Sequence, residues 1–246
     1  MKHQFNIISL QEAFSTNLLM QEWEKAGKIK HGDVLRAVNQ KDGIGQSGNL
    51  WESEAGKNLT FSLFLHTHFL VATEVFQLNK IISLAVCDYL IAKKIKNVKI
   101  KWPNDIYVGN KKIAGMLSHN SFLGDKLEFS IIGLGLNVNQ IDFRSNAPNP
   151  ISLKQITQID YNLEEEFDKL LHNIEARLIL LLNNDYAKLH SDYMKHLYGF
   201  DEIRKFKDAE GFFNGIIKGV DFYGFLLVEK ENHIVSTYDV KTIEYL

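Results

Sequence analysis

Lys99-Ile100-Lys101-Trp102-Pro103-Asn104-Asp105 is the stretch best equipped to do chemistry, and Lys112-Ile113-Ala114-Gly115-Met116-Leu117 follows it closely. Val98, Ile100 and Trp102 fall on one face of a strand, with Lys99 and Lys101 on the other. Pro103 ends regular pairing and holds Trp102 extended, so Lys101 is delivered to a point where the chain must turn. Ile106 to Val108, Gly109-Asn110 and Lys111 to Leu117 read as a hairpin, and Gly115 in the returning strand leaves a gap where a ligand or backbone can come close. A fixed lysine at such a place can meet an anion, and Lys101 is the charge assigned here to an anionic substrate. Strand period alone favours a plainer reading, a solvated lysine beside Lys99.

Weaker signals lie on either side. Ser15 or Thr16 fits the N-cap of a helix ending near Gly27, and hydroxyls at a helix N-terminus also suit a polar ligand. Asn39 to Asn49 contains Gly43, Gly45 and Gly48, which permit close backbone approach and can aim N–H groups at an anion. No Gly-Lys-Ser/Thr follows, so this is not a P-loop, and the glycine spacing is not that of a dinucleotide fingerprint. An ordinary hairpin connection would look the same. His66 and His68 have no third ligand at a metal-binding spacing and read as surface residues. Gly133-Leu134-Gly135-Leu136-Asn137 suggests a strand lying against something flat, with Asn137 either meeting a base edge or capping a turn. Glu164-Glu165-Glu166 suits a helix N-terminus rather than paired-carboxylate catalysis.

The elements that would position these groups come in two textures. Strands are expected at Phe5 to Ile8, Asp33 to Val38, Leu59 to Leu65 (alternating, hence half-buried) and Leu127 to Ile132. Thr73 to Lys94 reads as a long core helix, Leu153 to Ile159 as a short one, and Leu163 to Leu182 and Asn184 to Leu197 as two more. After Tyr198-Gly199, five short β pieces suggest a small barrel. The domains expected are residues 1–199 and 200–246.

The 246 residues are 45% hydrophobic and 24% charged, an ordinary globular composition. A net charge of -2 provides no global basic field for nucleic acid, so any phosphate chemistry must rest on local groups. Cys87, the single cysteine, forms no internal disulfide and fits a reducing compartment. The N-terminus has no apolar h-region, and no run approaches the roughly 18 apolar residues that span a bilayer. A cytoplasmic location is the default expectation.

Taken in order, Ser15-Thr16-Asn17, Gln40 with its glycine loop, Trp51, Lys101-Trp102-Pro103-Asn104-Asp105, Lys112-Ile113-Ala114-Gly115-Met116-Leu117 and Gly133-Leu134-Gly135-Leu136-Asn137 resemble the biotin protein ligases, in their monofunctional form without an N-terminal DNA-binding domain. The resemblance spans essentially the whole chain. It implies an α+β fold: a mixed β-sheet with helices, as in the class II synthetase-like biotin/lipoate ligase catalytic domain, plus a small C-terminal SH3-like β-barrel. It implies an enzyme that makes biotinyl-5′-AMP and pyrophosphate from biotin and ATP, then transfers biotin to a lysine of a biotin carboxyl carrier domain. ATP and Mg²⁺ are the implied cofactors, biotin the substrate and a biotin-dependent carboxylase the source of the partner. Neither DNA nor a membrane is an expected partner.

Carried over residue by residue, Lys101 is the catalytic lysine, between the biotin carboxylate and the α-phosphate. Ser15, Thr16 and Gln40 match positions that bond biotin's ureido ring, with Asn17 beside them. Gly43, Ile44 and Gly45 close over biotin, and Gly115 lines its apolar slot. Gln46, Trp51 and Asn137 join Lys101 around the adenylate, Trp51 near the adenine and Asn137 on its edge. No metal ligand is assigned.

The glycine loop departs from the family, which usually has Gly-Arg-Gly where this chain has Gly43-Ile44-Gly45. The loop therefore carries no guanidinium. Ile44 can shield the adenylate from water, but the missing charge weakens retention of the intermediate. With Gln46 and Asn49 also where arginines are common, Lys101→Ala is expected to abolish adenylation; Lys41, Lys57 and Lys112 are the next cations to consider if it does not. Two competing readings are a lipoate or octanoate protein ligase of the same superfamily and a non-catalytic biotin-binding regulator. The Lys-Trp-Pro-Asn-Asp run speaks against the first and Lys101 against the second. The acceptor carboxylase, the barrel's role and the oligomeric state stay open; an exposed sheet edge would pair two subunits in a homodimer or dock the carrier by strand addition.

Overall fold

The computed structural model describes residues 4–145 and 149–246. Its main sheet has seven strands: β1 (Asn6–Ala13), β2 (Asp33–Gln40), β5 (Leu59–His66), β6 (Val98–Lys101), β7 (Asp105–Val108), β8 (Lys111–Leu123) and β9 (Lys126–Leu136). The order across the sheet is β1-β2-β5-β9-β8-β7-β6. Only β1 and β2 run parallel; the remaining neighbours are antiparallel. The two-residue strands β3 (Gly43–Ile44) and β4 (Leu50–Trp51) form a separate ribbon inside the glycine loop. The mixed sheet with helices is the expected fold class, and several strands extend beyond their expected ends.

Helix α1 (Thr16–Lys25) lies on one face of the sheet. On the other face lie α2 (Phe76–Ala92), α4 (Leu163–Leu182) and α5 (Tyr186–His196), while the short α3 (Leu153–Thr157) follows β9. Two apolar clusters result. Met20 of α1 packs with Leu35, Phe64, Phe129 and Ile131; the larger cluster joins α2, α4 and α5 to the opposite face. Among the described residues the segment Ala72–Ala92 has the length and mean hydropathy to cross a bilayer, although Gln77, Asn79, Lys80 and Asp88 interrupt its apolar residues, and 72% of an 18-residue window within it is buried inside the protein, as befits a core helix.

β5 corrects the expectation of a half-buried strand, because every residue from Leu59 to Leu65 is buried. Leu59, Phe61, Leu63 and Leu65 face the large core. Of the residues on the other face, Ser62 lies beneath the start of α1, its Oγ 2.9 Å from Thr16 Oγ, and Thr60 Oγ donates to the Ala37 carbonyl of β2 at 3.1 Å. The polar half of the alternation is roofed by protein rather than by water.

Strands β10 (Ile203–Asp208), β11 (Gly211–Val220), β12 (Leu226–Lys230), β13 (Val235–Tyr238) and β14 (Glu244–Tyr245) form a second antiparallel sheet, ordered β13-β12-β11-β10-β14. Its apolar residues Phe206, Ile217, Leu226 and Val228 continue the large core. Trp102 Nε1 donates to the Gly224 carbonyl at 2.8 Å, tying the turn between β6 and β7 to this sheet.

Glu166 is 3% exposed at the start of α4. It accepts from Tyr89 Oη at 2.5 Å and Lys169 Nζ at 3.0 Å, and it pairs with Lys93. Desolvation, the largest single influence, pushes its pKa up, but the bonds from Lys93, Tyr89 and Lys169 together carry it below the usual value. A carboxyl lowered on folding adds stability above its unfolded pKa and loses it as pH falls through the folded one. Glu166→Ala is expected to cost about 2–4 kcal/mol near pH 7, by leaving Tyr89 and Lys93 unpaired in the interior. Urea unfolding should show that difference shrinking below about pH 4.5.

Candidate active site

A cavity of 620 Å³ opens above the α1 face of the sheet, within the size range of small-molecule sites. A single row of cross-strand partners, Thr60, Gly135, Gly115, Asp105 and Lys101, stands side by side on β5, β9, β8, β7 and β6, and its middle three residues line the cavity floor. The two glycines make the middle of this row flat. A Cβ on Gly135 would fall 2.5–2.6 Å from Trp51 Nε1 and Cζ2 and closer still to Cε2. The flat partner expected for this strand is therefore the Trp51 indole. A Cβ on Gly115 would lie 3.1 Å from Lys112 Cε and 3.2 Å from both Lys112 Nζ and Asp105 Oδ1, so Gly115 makes room for an ion pair.

That ion pair places a lysine other than Lys101 at the cavity. Lys112 Nζ lies 2.7 Å from Asp105 Oδ1, and Lys112 is the only lysine or arginine among the described residues that line the cavity. Lys101 does not line it. It stands one place beyond Asp105 in the row, with its Nζ 5.4 Å from the Tyr107 ring centre and 5.0 Å from that of Tyr245. Burial there, with the charges of Lys112 and Arg204, lowers its pKa against the pull of Asp105. Lys112 reaches the cavity because the β7–β8 register shifts between Ile106 and Tyr107. This bulge lets Ile113 and Ala114 both enter the core, and it turns Lys112 onto the same face as Gly115. Plain alternation would have placed it on the opposite face.

One end of the cavity is built by the start of α1. Ser15 is its N-cap, accepting from Leu18 N, and is buried with Thr16 and Asn17. Thr16 N and Oγ donate to Gln40 Oε1 at 3.0 and 3.2 Å, leaving the Gln40 amide nitrogen for another partner. Asn17 Nδ2 donates to the Leu117 carbonyl and lies where a Cβ on Gly133 would come within 3.1 Å. These groups, with Phe61, Leu117 and Leu134, give a polar tip on an apolar slot.

The other end holds Trp51 and Asn137. Asn137 Nδ2 donates to the Ile151 carbonyl, while Asn137 Oδ1 and Trp51 Nε1 are both buried without a partner. An orphaned acceptor and donor in one cavity are groups that a polar ligand would satisfy. Ile44, Gly45 and Gln46 line the cavity from the glycine loop. Gly43 does not; a Cβ there would meet the Trp51 carbonyl and Gln40 Nε2 at 2.5 and 2.6 Å, so it serves the crossing of backbone past Gln40.

Further residues enter that sequence reasoning missed. Asn104 Nδ2 donates to the Met116 carbonyl at 2.6 Å, and Met116 N donates to the Asn104 carbonyl at 3.0 Å, clamping the turn that carries Asp105. Glu52 accepts from the backbone of Arg144 and Ser145, and Gln140 links it to Glu54 and Asn58. This network holds the loop that brings Phe143 to the cavity wall. The Asn-Asp of the motif was a usable signal for Asn104 and Asp105. No local pattern marks Glu52 or Gln140.

Residues 11–137 match the biotin/lipoate A/B protein ligase family. The bifunctional ligase/repressor BirA of Bacillus spizizenii is 29% identical over 84% of this chain, which spans 64% of that protein's length. The biotin–[acetyl-CoA-carboxylase] ligase of Mycobacterium tuberculosis is 29% identical over 73% of this chain and 66% of its own. Among solved structures, the Aquifex aeolicus biotin protein ligase in complex with biotin and ATP superposes with a TM-score of 0.81 at 27% identity, covering 98% of this chain and 99% of that one.

Proposed function

Because this chain belongs to the biotin/lipoate A/B protein ligase family, we propose that it is an ATP-dependent biotin protein ligase, with Lys112 as its catalytic cation. The observation that carries this reading is one lysine, held by Asp105 over Gly115, in a cavity with a hydroxyl–amide tip and an indole–amide tip. The Ser15–Thr16–Gln40 end takes biotin's ureido ring, and its ring and valeryl chain run along Leu134, Leu117 and Phe61. Trp51 and Asn137 take the adenine. The biotin carboxylate and the ATP α-phosphate then meet near Lys112. Two anions must approach, and the ammonium offsets their repulsion and the charge that builds on the phosphate. Asp105 and the Asn104 clamp fix where that ammonium sits. The carboxylate oxygen bonds to the α-phosphorus and pyrophosphate leaves.

Among the described residues no group of three or more His, Cys, Asp or Glu could hold a metal ion. Mg²⁺ bound with ATP would screen the charge of its phosphates, and no step is assigned to it. The catalytic unit in this reading is residues 1–199, with 200–246 as the small β unit and a biotin carboxyl carrier domain as acceptor in the cytoplasm. Biotin-dependent ATP–pyrophosphate exchange, followed by labelling of a carrier domain, tests the assignment; exchange that needs lipoate and ignores biotin would overturn it.

Ile44 is 37% exposed and lines the cavity, pairing with Leu50 across the loop. Without a guanidinium there, the loop holds the adenylate through backbone and apolar contact alone. Ile44→Arg is expected to slow adenylate release about tenfold, the value of roughly one charge-assisted bond. Stopped-flow measurement of adenylate dissociation checks this, and an unchanged rate would show that the loop needs no charge.

A further inference from the structure

A second cavity, of 240 Å³, lies beside the first and shares Gln46, Asn104, Met116 and Leu117 with it. We infer that this cavity is the subsite for the acceptor's lysine side chain, an inference that rests on the ligase reading above. Its place in the fold supports this. Met116, Ser118 and Asn120 alternate onto the α2 face of β8, opposite Gly115 and Leu117. β7 pairs with β8 only as far as Asp105–Gly115, so β8 continues to Leu123 without that neighbour. The cavity therefore wraps the sheet edge at the point where the Asn104–Met116 clamp adjoins the Asp105–Lys112 pair. A chain outside the molecule has access there, because Tyr223 on its rim is 59% exposed.

The chemistry of the walls selects the occupant. Among the described residues no lysine, arginine, aspartate or glutamate lines the second cavity, so it suits neither a triphosphate tail nor a fixed ammonium. Val75, Phe76, Pro103 and Met116 offer apolar contact for a methylene stem. Asn79 and Ser118 offer acceptors, and Ser118 Oγ is buried without a hydrogen-bond partner. Neutral dipoles favour the uncharged amine over the ammonium, and the uncharged amine is the nucleophilic form. Its nitrogen forms the amide bond to the acyl carbon, and the bond from that carbon to the phosphate oxygen breaks. AMP leaves with the electron pair, and the amine's surplus proton passes to water.

Ser118→Leu and Asn79→Leu fill this cavity from two positions that are given no part in holding biotin or ATP. Biotin-dependent ATP–pyrophosphate exchange is expected to stay within about twofold of the natural enzyme, while kcat/KM for a biotin carboxyl carrier domain falls about 100-fold. Hydroxylamine, which needs no stem pocket, should still discharge the adenylate at the natural rate. Unchanged carrier labelling would overturn the subsite, as would exchange and labelling falling together or hydroxylamine discharge falling with labelling. Absence of biotin-dependent exchange in the natural enzyme would instead overturn the ligase reading.

Discussion

Replacing Lys112 by alanine is expected to lower biotin-dependent ATP–pyrophosphate exchange by about 10³-fold, whereas Lys101→Ala should lose tenfold or less. The magnitude follows from Coulomb's law: one unit charge about 4 Å from another is worth about 4 kcal/mol at an effective dielectric near 20. That is roughly a thousandfold in rate if it is lost in the transition state only. No other lysine or arginine among the described residues lines the cavity to compensate. Lys101 is separated from it by Asp105 and enclosed by Tyr107 and Tyr245, so its loss should act through packing. Lys112→Arg should recover little, since a longer, planar guanidinium does not put its charge at the point where the Lys112 ammonium meets Asp105 Oδ1 at 2.7 Å. Equal losses from Lys101→Ala and Lys112→Ala would return the catalytic role to Lys101.

The second large effect is expected from Gly135→Ala. The added methyl would overlap the Trp51 indole, a bulky ring rather than the far end of a flexible chain. The ring must leave the Gly135 strand, and with it the stacking surface assigned to adenine. The KM for ATP should rise at least tenfold, in line with the ~1–3 kcal/mol of a base–aromatic stack, while biotin affinity changes little because Ser15, Thr16 and Gln40 are untouched. Titration of biotin and ATP separately by calorimetry, with Trp51→Ala as reference, distinguishes a displaced ring from general misfolding. A Gly135→Ala enzyme with normal ATP affinity would show that Trp51 does not pack on adenine.

Much of the fold was legible because periodicity is local. The span of α4 matches its hydrophobic repeat, with Asn162 as cap and three glutamates in its first turn. The switch to short strands after Tyr198-Gly199 is equally visible in the pattern. β5 was misjudged because alternation reports which residues are apolar, not what covers the polar ones. Ser62 is roofed by α1 and Thr60 bonds to Ala37 of β2, both elements far away in the chain.

The motif order in the sequence by itself determined the family resemblance, the position of the glycine loop and the arginine-free character of that loop, since each is a matter of residue identity. Which of the two lysines lines the cavity was decided by tertiary structure alone. Lys101 and Lys112 flank one Asp105, and nothing in their spacing ranks them. A bulge at Ile113 reverses the facing of Lys112, Gly115 gives its side chain room, and Asp105 holds its charge in the cavity. Register between distant strands sets those three conditions, and strand period read along one segment carries no information about register.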